Sequence, residues 1–145
     1  MKFLVINGVN LNLTGKREQS VYGTQTLEDV NAQIKAYAEK SGDEVLFYQS
    51  NLEGEICSRL HEAFLNKECD AILLNAGAFT HYSYAIRDAV AAINIPVAEV
   101  HISNVHKREE FRKESVLSEV CQGTVFGFGV GSYLAAIEGL RNCVK

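Results

Sequence analysis

Five apolar, β-rich runs alternate along this chain with stretches of helical periodicity, and that alternation narrows the possible folds more than any other feature. The runs are KFLVI (2–6), DEVLFYQ (43–49), DAILLN (70–75), PVAEVHI (96–102) and GTVFGFG (123–129). After the first, TLEDVNAQIKAYAEKSG sets Leu27, Val30, Ile34, Tyr37 and Ala38 on one helical face, with Thr26 as N-cap and Gly42 just past the end. EGEICSRLHEAFLNK does the same with Ile56, Leu60, Ala63 and Phe64. SYAIRDAVAAI (83–93) and GSYLAAIEGLRNCVK read as further helices, and REEFRKES as a short one. DAILLN is apolar without alternation, as a parallel strand covered on both faces should be. Strand–helix alternation with right-handed crossovers predicts an α/β architecture: a three-layer, flavodoxin-like, five-stranded parallel sheet with helices on both faces. Residues 1–145 read as one domain, without linker or repeat.

Composition removes several classes of function. The net charge is −4 and no basic run exceeds two residues. That leaves no electrostatic footprint for nucleic acid and no basic patch for a membrane surface. No apolar stretch approaches the ~20 residues of a membrane-spanning helix, and the first residues enter a strand-like run without a signal-peptide pattern. Cys57, Cys69, Cys121 and Cys143 are scattered, without C-x-x-C or zinc-ligand spacing. They read as free thiols, and the expected location is a reducing cytoplasm.

Between the first strand and the first long helix lies NGVNLNLTGKREQSVYG, seventeen residues too polar and too rich in glycine to be core. Loops of that length in a compact domain are usually functional or disordered. In an open parallel sheet, ligands bind beyond the carboxyl ends of the strands, and the unusual polar residues of this chain cluster there. Strand one ends at Asn7 and leads to Asn10 and Asn12, strand two ends in QSN (49–51), strand three in Asn75 with His81 soon after, and strand four in His101. Asparagine also suits such junctions as a cap or a left-handed residue. Four strand ends carrying amide or imidazole groups together point to a ligand site.

Familiar phosphate and metal motifs do not fit. GVNLNLTGK has six residues between Gly8 and Gly15 where a P-loop has four, and Lys16 is followed by Arg17 rather than Ser or Thr. A phosphoacceptor domain needs an aspartate where Asn75 stands. The eight lysines fall at chain ends, in loops or on helix surfaces, which gives poor support to a Schiff base.

Acid–base chemistry remains. Glu99 and His101 are two apart on a strand and share a face. A glutamate in an apolar strand is costly unless paired, and here it could hold one imidazole nitrogen while the other faces the pocket. A satisfied polar pair at a sheet end is the plainer alternative. Arg17 and Tyr22 lie in the long loop. A free phenol, with a pKa of ~10, is a poor base at neutral pH, but a guanidinium held close favours phenolate. Bringing a phenol to ~7 takes about 4 kcal/mol. Arg108 and Arg112, at i and i+4 of HKREEFRKES, share a face if the stretch is helical and would suit an anion. Arg87 and Asp88 read as surface residues.

Together INGVNLNLTGKRE with YG, QSNLEGE, NAGAFTHYS, IRDA, EVHISNVHKREEFRKES and GFGVGSYLAAI resemble the type II 3-dehydroquinate dehydratases over nearly the whole chain. The resemblance implies a lyase of the shikimate pathway of aromatic amino acid biosynthesis, needing no cofactor and no metal. Such an enzyme dehydrates 3-dehydroquinate to 3-dehydroshikimate through an enolate. It implies Tyr22 as general base, Arg17 as its activator, His101 as general acid oriented by Glu99, and Asn10 as the holder of a water near the enolate oxygen. Asn75, His81, Ile102, Ser103 and Arg112 fall on substrate-binding positions. Asp88 falls on a position that reaches a neighbouring subunit's site, against its surface reading. A homo-oligomer is implied, trimers packed into a dodecamer, with residues 8–24 as a lid.

Four positions depart from the family pattern. Val9 and Gln19 stand where proline is usual, Thr14 where leucine is usual, and Ala76 where proline usually follows the asparagine. Fewer loop prolines leave a lid more freedom to lose on closing, so weaker substrate capture is expected. The rival reading of the whole chain is a non-catalytic flavodoxin-like module that binds a small carboxylate.

Overall fold

A computed structural model describes residues 1–144. Five parallel strands form one sheet in the order β2-β1-β3-β4-β5. They are β1 (Lys2–Asn7), β2 (Glu44–Gln49), β3 (Ala71–Asn75), β4 (Val97–His101) and β5 (Gly123–Phe126). This is the flavodoxin-like order expected from the alternating runs. The helices are α1 (Gln19–Tyr22), α2 (Leu27–Glu39), α3 (Glu53–Leu65), α4 (Tyr84–Ala92) and α5 (Gly131–Cys143).

Strand alternation splits the core into two layers. Leu4, Ile6, Ile72 and Leu74 pack against Ile56 and Leu60 of α3 and Ile86 and Val90 of α4. Phe3, Val5, Leu73 and Val100 pack on the other face against Val30 and Ile34 of α2 and Tyr133 and Ile137 of α5. Every residue of β3 is buried. Two of the helices, α2 and α4, begin at side-chain caps. Thr26 Oγ1 accepts from the Asp29 N–H at 3.2 Å, Asp29 returns a bond to the Thr26 N–H at 3.0 Å, and Ser83 caps α4 through the Ile86 N–H at 3.1 Å.

Four elements differ from the sequence expectations. β5 stops at Phe126, three residues early, because Gly127 (φ 96°) and Gly129 (φ 59°) turn the chain out of the sheet. The loop after β1 is not structureless: it holds a 3-10 turn at Leu11–Leu13 and the single-turn α1. The charged stretch after β4 forms two 3-10 turns, Val105–Lys107 and Glu110–Lys113, instead of one helix. Arg108 lies between them in extended backbone, so it and Arg112 do not share a helix face. The last helix ends at Cys143, short of the expected run to Lys145, because Val144 is extended; Lys145 itself lies outside the described residues.

At the carboxyl edge the loops after β1 and β3 touch backbone to backbone. A Cβ on Gly8 would meet the Ala76 carbonyl oxygen at 2.3 Å, and one on Gly77 would meet that of Val9 at 2.8 Å. These two glycines let the neighbouring loops converge on the site.

Candidate active site

A cleft opens at that edge, walled by the ends of β3 and β4 and by the loops that follow β1, β3 and β4. Asn10, Arg17, Tyr22, Asn75, His81, His101, Ile102, Ser103 and Arg112 all line it. Glu99 lies behind His101, outside the cleft wall. Asp88 is not in the cleft: it projects from α4, its side chain 75% exposed and paired with Arg87 at 2.9 Å.

β4 sets the back wall. His101 Nε2 donates to Glu99 Oε1 at 2.6 Å, and both residues are buried, at 7% and 1% exposure. Nδ1 makes no hydrogen bond among the described residues. Burial pushes the Glu99 carboxyl up, but hydrogen bonds from His101, Ser118 and Ser115 outweigh it and hold the group below the usual carboxylate range. The result is a buried anion directly behind the imidazole.

β3 and its 3-10 turn supply the floor. Asn75 Nδ2 donates to the Tyr133 hydroxyl at 2.8 Å, and Asn75 Oδ1 accepts from the Gly77 N–H at 3.2 Å. Tyr133, fully buried, passes its own proton to Asn7 Oδ1 at 2.6 Å. The Asn75 amide is therefore fixed before any ligand arrives. Sequence reasoning missed Tyr133 as its anchor, because a tyrosine on an apolar helix face reads as core. His81 Nδ1 lies 2.7 Å from the Glu114 carbonyl oxygen and donates to it, which leaves Nε2 as an acceptor. Burial, with His101 and Arg112 nearby, moves His81 below the ordinary histidine value despite that bond, so the ring is neutral near pH 7.

After β4 the backbone turns, and among the described residues no intramolecular hydrogen bond occupies the Ile102 or Ser103 N–H. Two adjacent unpaired N–H groups on a cleft wall suit a carboxylate. Arg112, held by Glu109 at 2.5 Å, adds positive charge.

The loop after β1 forms the front wall. Its root is tied down where Asn51 Oδ1 accepts from the Asn10 N–H at 2.9 Å and from Gln49 Nε2 at 3.1 Å. Asn10 itself sits in left-handed backbone, φ 67°. Thr14, one of the departures from the family pattern, is buried with its hydroxyl satisfied by the Leu11 carbonyl at 2.6 Å. The guanidinium on the phenol oxygen is that of Arg108, whose Nη1 donates to the Tyr22 hydroxyl at 2.6 Å and to Ser103 Oγ at 3.3 Å. Arg17 lies over the Tyr22 ring, 5.1 Å from its centroid, and bonds Glu18 at 2.8 Å. The Arg108 contact was hidden in the sequence because it depends on the break between two 3-10 turns.

Comparison with known proteins decides the family. A sequence profile described as Dehydroquinase class II matches residues 1–141.

The chain belongs to the class II dehydroquinase family.

It is 54% identical over 140 residues to a protein of Caldicellulosiruptor bescii named 3-dehydroquinate dehydratase, covering 97% of this chain and 96% of that one. It is also 54% identical over 138 residues to the Bacillus pumilus protein of the same name, covering 95% and 92%. The crystal structure of a type II dehydroquinase from Butyrivibrio crossotus superposes with a TM-score of 0.94 at 49% identity, covering 97% of each chain. Within this dehydroquinase chain no group of three or more His, Cys, Asp or Glu is placed to hold a metal ion among the described residues. Among the described residues no helix is long and apolar enough to cross a membrane.

Proposed function

We propose that this dehydroquinase, a hydro-lyase by family, dehydrates 3-dehydroquinate to 3-dehydroshikimate with Tyr22 and His101 as base and acid on opposite walls of the cleft. The observation that carries the reading is the Arg108–Tyr22 contact facing the Glu99–His101 pair across one cavity. The ring carboxylate docks on the Ile102 and Ser103 N–H groups near Arg112. His81 Nε2 and the fixed Asn75 amide receive its hydroxyls. A guanidinium N–H on a phenol oxygen stabilises phenolate, so Tyr22 takes the proton from the carbon beside the ketone. Negative charge moves to the ketone oxygen, where a water held by Asn10 receives it. His101 then protonates the departing hydroxyl, which leaves as water. Each proton transfer contributes ~10²–10⁴-fold, and positioning adds more. The product is a conjugated ketone that keeps the ring carboxylate, and no group needs to be oxidised or reduced.

Residues 8–24 act as the lid, with Arg17 swinging from Glu18 toward the substrate as the lid shuts. Asp88 stands out from α4 with Tyr84, 68% exposed, one turn before it. That face would meet a neighbouring subunit in the trimer-based dodecamer implied by the family resemblance, working in the cytoplasm. Sedimentation should give an assembly, and a stable monomer would remove Asp88 from the site. The activity test is direct: mix protein with 3-dehydroquinate and follow the ultraviolet absorbance of the conjugated product. A rate proportional to enzyme is expected. Tight binding without a rate would leave only a carboxylate-binding module.

A further inference from the structure

The hydrogen-bond chain behind the cleft does not end at Glu99. Its carboxylate receives three side-chain donors, from β4 and from the segment before β5. Oε1 takes His101 Nε2 at 2.6 Å and Ser115 Oγ at 2.9 Å, while Oε2 takes Ser115 Oγ at 2.9 Å and Ser118 Oγ at 2.6 Å. The serine protons have nowhere else to go. Ser115 Oγ already accepts from the Leu117 N–H at 3.0 Å and the Ser118 N–H at 3.1 Å, so its remaining valence, the proton, points to the carboxylate. Ser118 Oγ lies 3.2 Å from Thr124 Oγ1, which can donate to it and so commits the Ser118 proton to Glu99.

We propose that Ser115 and Ser118 are positioning residues that set the acid strength of His101 by drawing charge from Glu99. The inference rests on His101 acting as the general acid. A buried carboxylate with an imidazole as its only donor would bind an imidazolium tightly and make it a reluctant acid. Each hydroxyl proton takes a share of the negative charge, so the ring holds its proton less firmly and releases it more readily to the departing hydroxyl. The same donors keep Glu99 anionic despite its burial, so it does not take the proton from the ring.

Every other titratable or charged group facing the pair is accounted for. Cys121, in the segment before β5, is pushed up to about 12 by burial and then by Glu99, and stays a neutral thiol. His81, from the turn after β3, acts on both members of the pair. Arg112 and Lys113, from the second 3-10 turn after β4, and His106, from the first, line a second cavity behind the dyad that Glu99, Ser118 and Thr124 also border. None of these changes in the variants below.

The test follows His101 directly. The chain has four histidines, so ¹⁵N-histidine labelling, with His101→Ala to assign the signal, gives its titration midpoint in ligand-free protein. Ser118→Ala should raise that midpoint by about half a pH unit or more, and the alkaline limb of kcat should move by the same amount. Ser118→Thr should restore both. Thr124→Val, at an exposed position, should give a smaller shift of the same sign, and it carries the test if Ser118→Ala does not fold. An unmoved His101 midpoint in the folded variants overturns the proposal. A midpoint that moves while the kcat limb stays fixed keeps the hydroxyl effect and contradicts the general-acid reading instead.

Discussion

His101 and Tyr22 look into the same cleft from walls of opposite construction. The His101 wall is strand and buried turn: Glu99 and His101 are nearly inaccessible, and serine hydroxyls close the hydrogen-bond set behind them. The Tyr22 wall is a half-exposed loop, whose phenol oxygen is held by the single contact to Arg108 and whose Arg17 is occupied by a neighbouring glutamate. The difference teaches how one cleft meets two demands. Under the proposed roles, an acid fixed in place and screened from water is served by a place in the sheet. A base that must leave room for a ring to enter is served by a loop, with its activating charge supplied from the opposite wall.

Variants on the two walls should therefore fail in different ways. His101→Ala and Tyr22→Phe should each lose at least ~10²–10⁴-fold in kcat. His101→Ala should also cost ~3 kcal/mol or more in stability, because it strands the buried Glu99 charge. Tyr22→Phe should stay within ~0.5 kcal/mol of the parent. Urea titrations beside initial rates check this. Equal stability losses would dissolve the contrast between the walls. Arg108→Ala should lower kcat by ~10²-fold, the usual cost of one donor aimed at developing charge, with unfolding almost unchanged. A loss under about threefold would show that Arg17 alone activates the phenol.

The pH dependence of stability sharpens the same contrast. Glu99 is held below its ordinary value in the fold. Its contribution is therefore full above the unfolded value, ~4.3, and is lost as pH falls through the lowered folded one. His81 is also lowered. The unfolded chain takes up its proton first, near ~6.5, so stability declines as pH falls from there to the folded value. Glu99→Gln should flatten the lower of these limbs and His81→Asn the upper, as read by denaturant midpoints across pH.

The smallest effect is expected in the lid itself. Gln19 opens α1, a place that accepts proline, but Glu18 before it has φ 42° and ψ 48°, which a following proline disfavours. Val9→Pro with Gln19→Pro should move Glu18 out of that conformation, loosen its hold on Arg17 and lower KM about threefold through a narrower open ensemble. An unchanged KM would mean that these departures do not weaken capture.

The strand order was legible because unbroken apolar runs such as AILLN can sit only between covered faces. The start of α2 was legible because Thr26 carries its own capping chemistry. The Glu99–His101 pair followed from strand periodicity alone. What could not be read was set by irregular backbone. β5 ends early on the torsions of Gly127 and Gly129. Arg108 reaches Tyr22 because the chain breaks between two 3-10 turns, where the charge spacing of HKREEFRKES suggested a helix. Ser115 and Ser118 meet Glu99 through a turn that no periodicity marks. Asp88 is exposed, as its spacing alone suggests, and the role implied by the family resemblance needs a second subunit.

The most direct test of this division between a fixed acid and a delivered base is a crystal structure with a non-reacting ring carboxylate analogue of 3-dehydroquinate in the cleft. The Tyr22 hydroxyl should lie within ~3.5 Å of the carbon beside the ketone position, still bonded to Arg108, with His101 unmoved on Glu99. A closed lid with that hydroxyl far from the carbon, or a His101 that has left Glu99 to reach the ligand, would contradict the account.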